Sequence, residues 1–185
     1  MRDRPLVDQK WVSAGPLKAA QESEASEADA SPLAAEWRQP AVDDDRRLVL
    51  LVEDNQADVF LVEQAVQLRK LSVRLLVLDN GEEALRYFSQ ADADPNVRCP
   101  DVVLLDLNLP RRSGREVLEQ LKGNGRCRSV PVIILTSSNS PDDRRETAAL
   151  GATRYFRKPT SYQEFLKVGE VLEEVLAENH SSDCR

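Results

Sequence analysis

Histidine is almost missing from this chain: His180 is the single one in 185 residues. A zinc site built on two histidines, or a phosphohistidine relay contained within the chain, is therefore excluded. The three cysteines, Cys99, Cys127 and Cys184, are odd in number and widely spaced. That spacing fits neither a disulfide framework nor paired Cys-x-x-Cys ligand loops, and it predicts a reducing, cytoplasmic setting. No apolar run exceeds the length of a strand, and no basic start leads into a longer one, so neither a membrane span nor a secretory signal is expected. Positive charge is also short, with 25 Lys and Arg against 32 Asp and Glu. Residues 1–45 carry ten of the acids and five of the bases, which leaves the remainder nearly neutral. Neither part offers the concentrated positive field that binding to a phosphate backbone needs, and direct nucleic-acid contact is not expected.

What is present divides the chain into three parts. Residues 1–45 are rich in Ala, Ser, Glu and Asp and are interrupted by Pro5, Pro16, Pro32 and Pro40. Such a stretch buries too little apolar surface to offset its ordering entropy and reads as a disordered acidic extension. Within it, Trp11-Val12 and the segment from Leu33 to Trp37 are candidate docking or short helical pieces. Residues 46–177 have the texture of one folded domain, and 178–185 form a short polar tail.

Inside the folded part, strand-like and helix-like patterns alternate. Leu48 to Val52 is a continuous apolar run ending in Glu53-Asp54-Asn55 and predicts a strand buried on both faces. Ala57 to Leu68 has helical spacing, with Ala57, Leu61, Ala65 and Leu68 as its inward stripe, widened by Phe60 and Val62. Val73 to Leu78 returns to strand composition. Glu82 to Phe88 predicts a short helix, followed by a polar loop from Ser89 to Pro100. Val102 to Leu105 is the third strand, Gly114 to Lys122 the third helix, and Val130 to Leu135 the fourth strand, ending at Thr136. Pro141 suits the first turn of a fourth helix, where its missing amide costs little. Arg154 to Phe156 is a short fifth strand. A last helix, capped by Thr160 or Ser161, buries Phe165, Val168, Leu172, Val175 and Leu176. Five such alternations predict an α/β fold, a doubly wound five-stranded parallel sheet with helices on both faces. In these sheets ligands bind beyond the carboxyl ends of the strands, where the strand order reverses.

Polar residues collect at those ends: Glu53 and Asp54 after strand 1, Asp106 after strand 3, Thr136 after strand 4 and Lys158 after strand 5. Three carboxylates converging in a cleft repel one another, and a divalent cation relieves the conflict. An all-oxygen donor set suits Mg²⁺ or Mn²⁺ rather than zinc. Asp106 can act as a nucleophile, because a carboxylate can form an aspartyl phosphate. Lys158 offers a point charge and Thr136 a hydroxyl to phosphoryl oxygens.

Four strings in order, residues 50–58 (LLVEDNQAD), 104–110 (LLDLNLP), 135–138 (LTSS) and 151–159 (GATRYFRKP), resemble the response-regulator receiver family of two-component systems. The offsets of 30 residues from Asp106 to Thr136 and 52 to Lys158 match that pattern. The wording is most like the single-domain regulators paired with bacterial phytochrome-type kinases. The resemblance implies the flavodoxin-like (βα)5 fold with strand order 2-1-3-4-5, and a self-phosphorylating and self-dephosphorylating switch rather than a metabolic enzyme. It implies Asp106 as phosphoacceptor, and Glu53, Asp54, Asp106 and the Asn108 carbonyl around the metal. Thr136 and Tyr155 are then the switch pair, and Lys158 the phosphate-contacting lysine. Asn108, Ser137 and Ser138 become modulating positions, and Lys158-Pro159 a cis bond. The implied partner is a histidine kinase or a histidine phosphotransfer protein, with phytochrome-type kinases the partners of the regulators this chain most resembles. Output through protein contacts, without an attached output domain, is expected from the surface of the fourth helix, fifth strand and fifth helix, where a homodimer could also form. The alternative is a receiver-like protein-binding module that is never phosphorylated.

Overall fold

The computed structural model describes residues 46–182 with the exception of residue 124. The expectations for residues 1–45 lie outside the described residues. Five strands, β1 (Arg47–Val52), β2 (Val73–Leu78), β3 (Val102–Leu105), β4 (Val132–Thr136) and β5 (Arg154–Arg157), alternate with helices. The helices are α1 (Gln56–Leu68), α2 (Gly81–Ala93), α3 (Gly114–Lys122), α4 (Pro141–Ala149), α5 (Tyr162–Phe165) and α6 (Val168–Ser182). All strand pairings are parallel, in the order β2-β1-β3-β4-β5. This is the predicted topology, and it sets the reversal of strand order between β1 and β3.

Because successive strand residues face opposite sides, each central strand feeds two cores. Leu50, Val52, Val103, Leu105, Val132 and Ile134 pack with Tyr87, Phe88, Val117, Leu118 and Leu121 under α2 and α3. Val49, Leu51, Val102, Leu104, Ile133 and Leu135 pack with Val59, Val62, Ala65, Val168, Leu172 and Val175 under α1 and α6. The continuous apolar strands in the sequence reflect this double burial. Caps fix the helix starts: Asn55 and Asn80 accept from Ala57 and Glu83 amides, and Ser113 with Glu116 forms a reciprocal capping box. Helix α4 is lightly anchored, with Thr147 its one buried residue.

Several expectations change. The inward face of α1 keeps Val62 and Ala65 from the expected stripe, with Leu61 partly buried beside them, but adds Val59 and leaves Ala57, Phe60 and Leu68 outside. The two valines turn the helix so that Phe60 and Leu68 are 54% and 64% exposed. Helix α2 continues into the first part of the expected loop, to Ala93, because Ala91 keeps the inward spacing after Ala84 and Phe88. The last helix is broken at Leu166 and Lys167 into α5 and α6. Beyond the break, a side chain at Gly169 would stand 2.9 Å from the Ala65 carbonyl oxygen. Only glycine lets α6 approach α1 that closely. Ser161 precedes α5 without making a side-chain cap bond. The helix then runs past the expected boundary at Ala177 to Ser182, with Arg154 on Glu178 and Asn179 on the Asp101 carbonyl.

The cysteine expectation is overturned most clearly. Cys99 and Cys127 form a disulfide, with Cα atoms 5.4 Å apart. They lie in the α2–β3 and α3–β4 connections, which adjacent parallel strands bring together at the amino ends of β3 and β4. Linear spacing carries no trace of that proximity. Among the described residues no helix is long and apolar enough to cross a membrane.

Candidate functional site

β1 and β3 end side by side, with Val52 in register with Leu105, and the next residues carry the chemistry. The Asp106 amide donates to the Val52 carbonyl at 3.0 Å, and the Glu53 amide donates to the Leu78 carbonyl at 2.9 Å, so both acids are held by the sheet's own ladder. Glu53, Asp54 and Asp106 each bring a carboxylate oxygen within 4.8 Å of the others. Glu53 and Asp106 are buried, whereas Asp54 is exposed at the rim.

Lys158 enters from the end of β5, its amide donating to the Thr136 carbonyl at 2.8 Å. Its ammonium donates to Glu53 Oε2 at 2.7 Å and Asp106 Oδ2 at 2.8 Å, and pairs with Asp58 Oδ2 at 3.0 Å. Asp58 was not singled out from the sequence. The signal was available: it stands four residues after Asp54 in the first turn of α1, on the side facing the cleft.

One ammonium therefore serves three carboxylates in a low-dielectric setting. Burial raises Glu53 to about 7, against the opposing hydrogen bond and charge of Lys158. For Lys158 burial acts downward, but its hydrogen bonds to Asp106 and Glu53 outweigh it and hold the ammonium above its ordinary value. The cluster is short of positive charge. Hard oxygen donors with that deficit fit Mg²⁺ or Mn²⁺ and do not fit a thiophilic metal.

The second half of the site lies on the connections after β3 and β4. Asn108 links them: its amide donates to Asp106 Oδ1 at 3.1 Å, and its side-chain amide reaches Thr136 Oγ1 at 3.4 Å. Thr136, fully buried, also accepts from the Ser138 amide at 3.2 Å. Ser138 donates its hydroxyl to Asp143 in α4 and accepts from the Ser140 amide, so it supports the helix start, while Ser140 is the capping residue itself. Ser137 is exposed. Tyr155 is half-buried; its hydroxyl donates to the Ser138 carbonyl at 3.2 Å, and the Arg144 guanidinium lies 5.6 Å from its ring centre. The fold thus brings Glu53, Asp54, Asp106, Asn108, Thr136, Ser138, Tyr155 and Lys158 to one end of the sheet. The Lys158–Pro159 bond is trans, contrary to the expectation. Before proline the two forms differ by only about 0.5–1 kcal/mol, so local context decides between them.

Gly114 closes the β3–α3 loop onto this end: a Cβ there would stand 1.9 Å from the Asp106 carbonyl oxygen. The same loop contains Arg111 at φ 67°, a left-handed conformation uncommon outside glycine, with its guanidinium on Glu82 at 3.0 Å.

The family model for the response regulator receiver domain matches residues 49–169. The chain belongs to that family. Response regulator Rcp1 of Synechocystis sp. is 33% identical over 69% of this chain and 86% of its own length. The probable methanogenesis regulatory protein FilR2 of Methanothrix harundinacea is 36% identical over 71% of this chain and 84% of its own length. Among solved structures, the phosphorylated cyanobacterial phytochrome response regulator RcpA superposes with a TM-score of 0.65 at 31% identity, covering 71% of this chain and 94% of the other. The Mn²⁺-bound form of Rcp1 gives 0.63 at 33% identity, over 69% and 92%. The acidic cluster of this chain is accordingly that of a receiver built for phosphoaspartate signalling. Its relatives include phytochrome-associated regulators among others.

Proposed function

We propose that this receiver accepts a phosphoryl group from a phosphohistidine on a histidine kinase or phosphotransfer protein, and signals through protein contacts. The observation that carries the reading is the grip on Asp106: Lys158 holds Oδ2 and the Asn108 amide holds Oδ1, with both carboxylate oxygens facing the end of the sheet. An Asp106 oxygen attacks phosphorus; the new O–P bond forms as the N–P bond breaks, and its electron pair returns to the imidazole. Lys158 contacts a phosphoryl oxygen, with Glu53 and Asp58 keeping its ammonium at the site. Thr136 supplies a hydroxyl to a further oxygen, which requires it to exchange its Asn108 and Ser138 partners. Glu53, Asp54, Asp106 and the Asn108 carbonyl would hold Mg²⁺ or Mn²⁺, which when bound neutralises phosphoryl charge. Hydrolysis of the acyl phosphate by water resets the switch.

The readout surface follows from the same bonds. Movement of Thr136 displaces Ser138, whose carbonyl holds Tyr155 and whose hydroxyl holds Asp143 of α4. Helix α4 buries only Thr147 among its own residues, so shifting it disturbs little packing. We place the signalling surface, and any homodimer contact, on α4, β5 and the last helices. Phytochrome-type kinases are the favoured donors, in keeping with the relatives described above.

The test is labelling by acetyl phosphate and by a phytochrome-type kinase, with Mg²⁺ present or removed, in wild type and Asp106→Asn. Acid-labile label on the wild type alone, dependent on Mg²⁺, is expected. Equal labelling of both proteins would reject Asp106 as acceptor, and absence of label from every donor would favour a receiver used purely as a binding module.

A further inference from the structure

We propose that Cys99 and Cys127 form a reversible thiol–disulfide site that clamps the segment bearing Asp106. The two residues bracket β3, Asp106, the β3–α3 loop and α3, and their bridge ties the two ends of this segment together beneath the sheet, at the pole opposite Asp106.

Three observations separate such a site from a permanent staple. First, the loops are held next to each other without the bridge. The Arg126 amide donates to Asp92 Oδ1 at 2.7 Å, and its guanidinium donates to the Ala91 carbonyl and, at 3.2 Å, to that of Asp94. The Tyr87 hydroxyl donates to the Arg98 carbonyl at 2.6 Å, and Lys122 Nζ to the Val130 carbonyl at 2.6 Å. Reduced cysteines therefore stay juxtaposed, and the bridge can reform. Second, access is unequal: Cys99 is half-buried, whereas Cys127 is 2% exposed. An external thiolate reaches Cys99 first, and a defined sulfur leaves. Third, the two loops follow α2 and α3, which pack on the same face of the sheet as Val103 and Leu105, and α3 begins directly after the loop that follows Asp106.

The reaction balances with thiols alone. A small-molecule thiolate attacks Cys99 Sγ, the S–S bond breaks, and its electron pair goes to Cys127 Sγ, which takes a proton. A second thiol attacks the mixed disulfide and releases Cys99 as a thiol. Two external thiols are oxidised to one disulfide as the protein bridge is reduced, and a small-molecule disulfide drives the reverse. With the bridge closed, the segment cannot open at its base; with it reduced, the hydrogen bonds above and the packing of Val97 and Val130 hold it without a covalent tie.

The experiment equilibrates the full chain in glutathione buffers of graded thiol-to-disulfide ratio, then blocks free thiols with iodoacetamide and maps them by peptide mass. Cys184 serves as the internal reference. Cys99 and Cys127 should lose alkylation together as the disulfide fraction rises, and regain it on reduction without unfolding. Wild type should melt about 10 °C higher oxidised than reduced, and a Cys99→Ala/Cys127→Ala variant should show no such shift. Amide exchange over residues 107–122 should slow about tenfold on oxidation. Alkylation of both cysteines in excess glutathione disulfide, pairing of either with Cys184, or a bridge opened only on unfolding would overturn the proposal. So would exchange over 107–122 that is indifferent to the bridge.

Discussion

The Lys158 ammonium lies 3.0 Å from Asp58 Oδ2 and 2.8 Å from Asp106 Oδ2, so one cation bridges the first turn of α1 and the end of β3. With Glu53 as third partner, three acids depend on it. Lys158→Ala should therefore separate two properties that usually fall together. Labelling of Asp106 by acetyl phosphate should drop by about two orders of magnitude, as when a charge-stabilising donor is removed. Mg²⁺ should bind about tenfold more tightly, because the carboxylates lose their competing counter-charge. Without metal the variant should lose about 3–5 kcal/mol, less whatever Glu53 recovers by taking a proton. Calorimetric titration and urea unfolding read both effects; weaker Mg²⁺ binding would contradict this account.

Gly114→Ala reverses an ordinary expectation. In an exposed helix the change is stabilising, by up to about 1 kcal/mol. Here the added carbon meets the Asp106 carbonyl oxygen at 1.9 Å, so backbone must move. A loss of about 1–3 kcal/mol in urea unfolding is expected, with slower labelling of Asp106.

Phe60 and Tyr162 are 54% and 53% exposed, and each lies within four residues of a partner in the Lys158–Asp58 pair. We expect them to border the surface that a protein donor covers. A Phe60→Ala/Tyr162→Ala variant should accept phosphoryl groups from acetyl phosphate at the wild-type rate and from a kinase at least tenfold more slowly, since only a protein donor covers that apolar rim. Equal losses with both donors would place these rings in the catalytic cleft instead.

Alkaline pH should probe the α2–β3 connection. Burial raises the Tyr87 phenol to about 12, and its hydroxyl donates to Arg98 just before Cys99. Between pH 10 and 12 the unfolded chain gives up this proton while the folded one keeps it. Stability is thus intact below pH 10 and falls as pH rises, by about 2–3 kcal/mol across the window. Tyr87→Phe should cost about 1 kcal/mol at neutral pH and flatten that decline. Denaturant midpoints at several pH values give the comparison, best made with the disulfide reduced in both proteins.

The central strands were legible because double burial writes itself as unbroken apolar runs, and the site was legible because strand ends are where such sheets expose polar groups. Val73–Leu78 and Gly114–Lys122 matched residue for residue. What escaped depends on rotation or on distant proximity. The inward face of α1 was misjudged at Val59, Phe60 and Leu68, because valines and large apolar residues compete on a helix with few charges to break the tie. Asp58 escaped because a helix residue's partner, here 100 positions away at Lys158, is chosen by the fold. The Cys99–Cys127 pairing escaped for the same reason, 28 positions apart across parallel strands.

Near its start the domain is stitched to its own end: Arg47 donates to the Leu176 carbonyl, the Leu48 amide to Asp101, and Asn179 to the Asp101 carbonyl. Chain entry and chain exit thus share one pole, and Asp106 occupies the other. For protein engineering the domain is a cassette. It can be spliced into a host loop or circularly permuted with a short joint, and cargo fused at either junction departs from the floor of the sheet, leaving the cleft free for its phosphodonor.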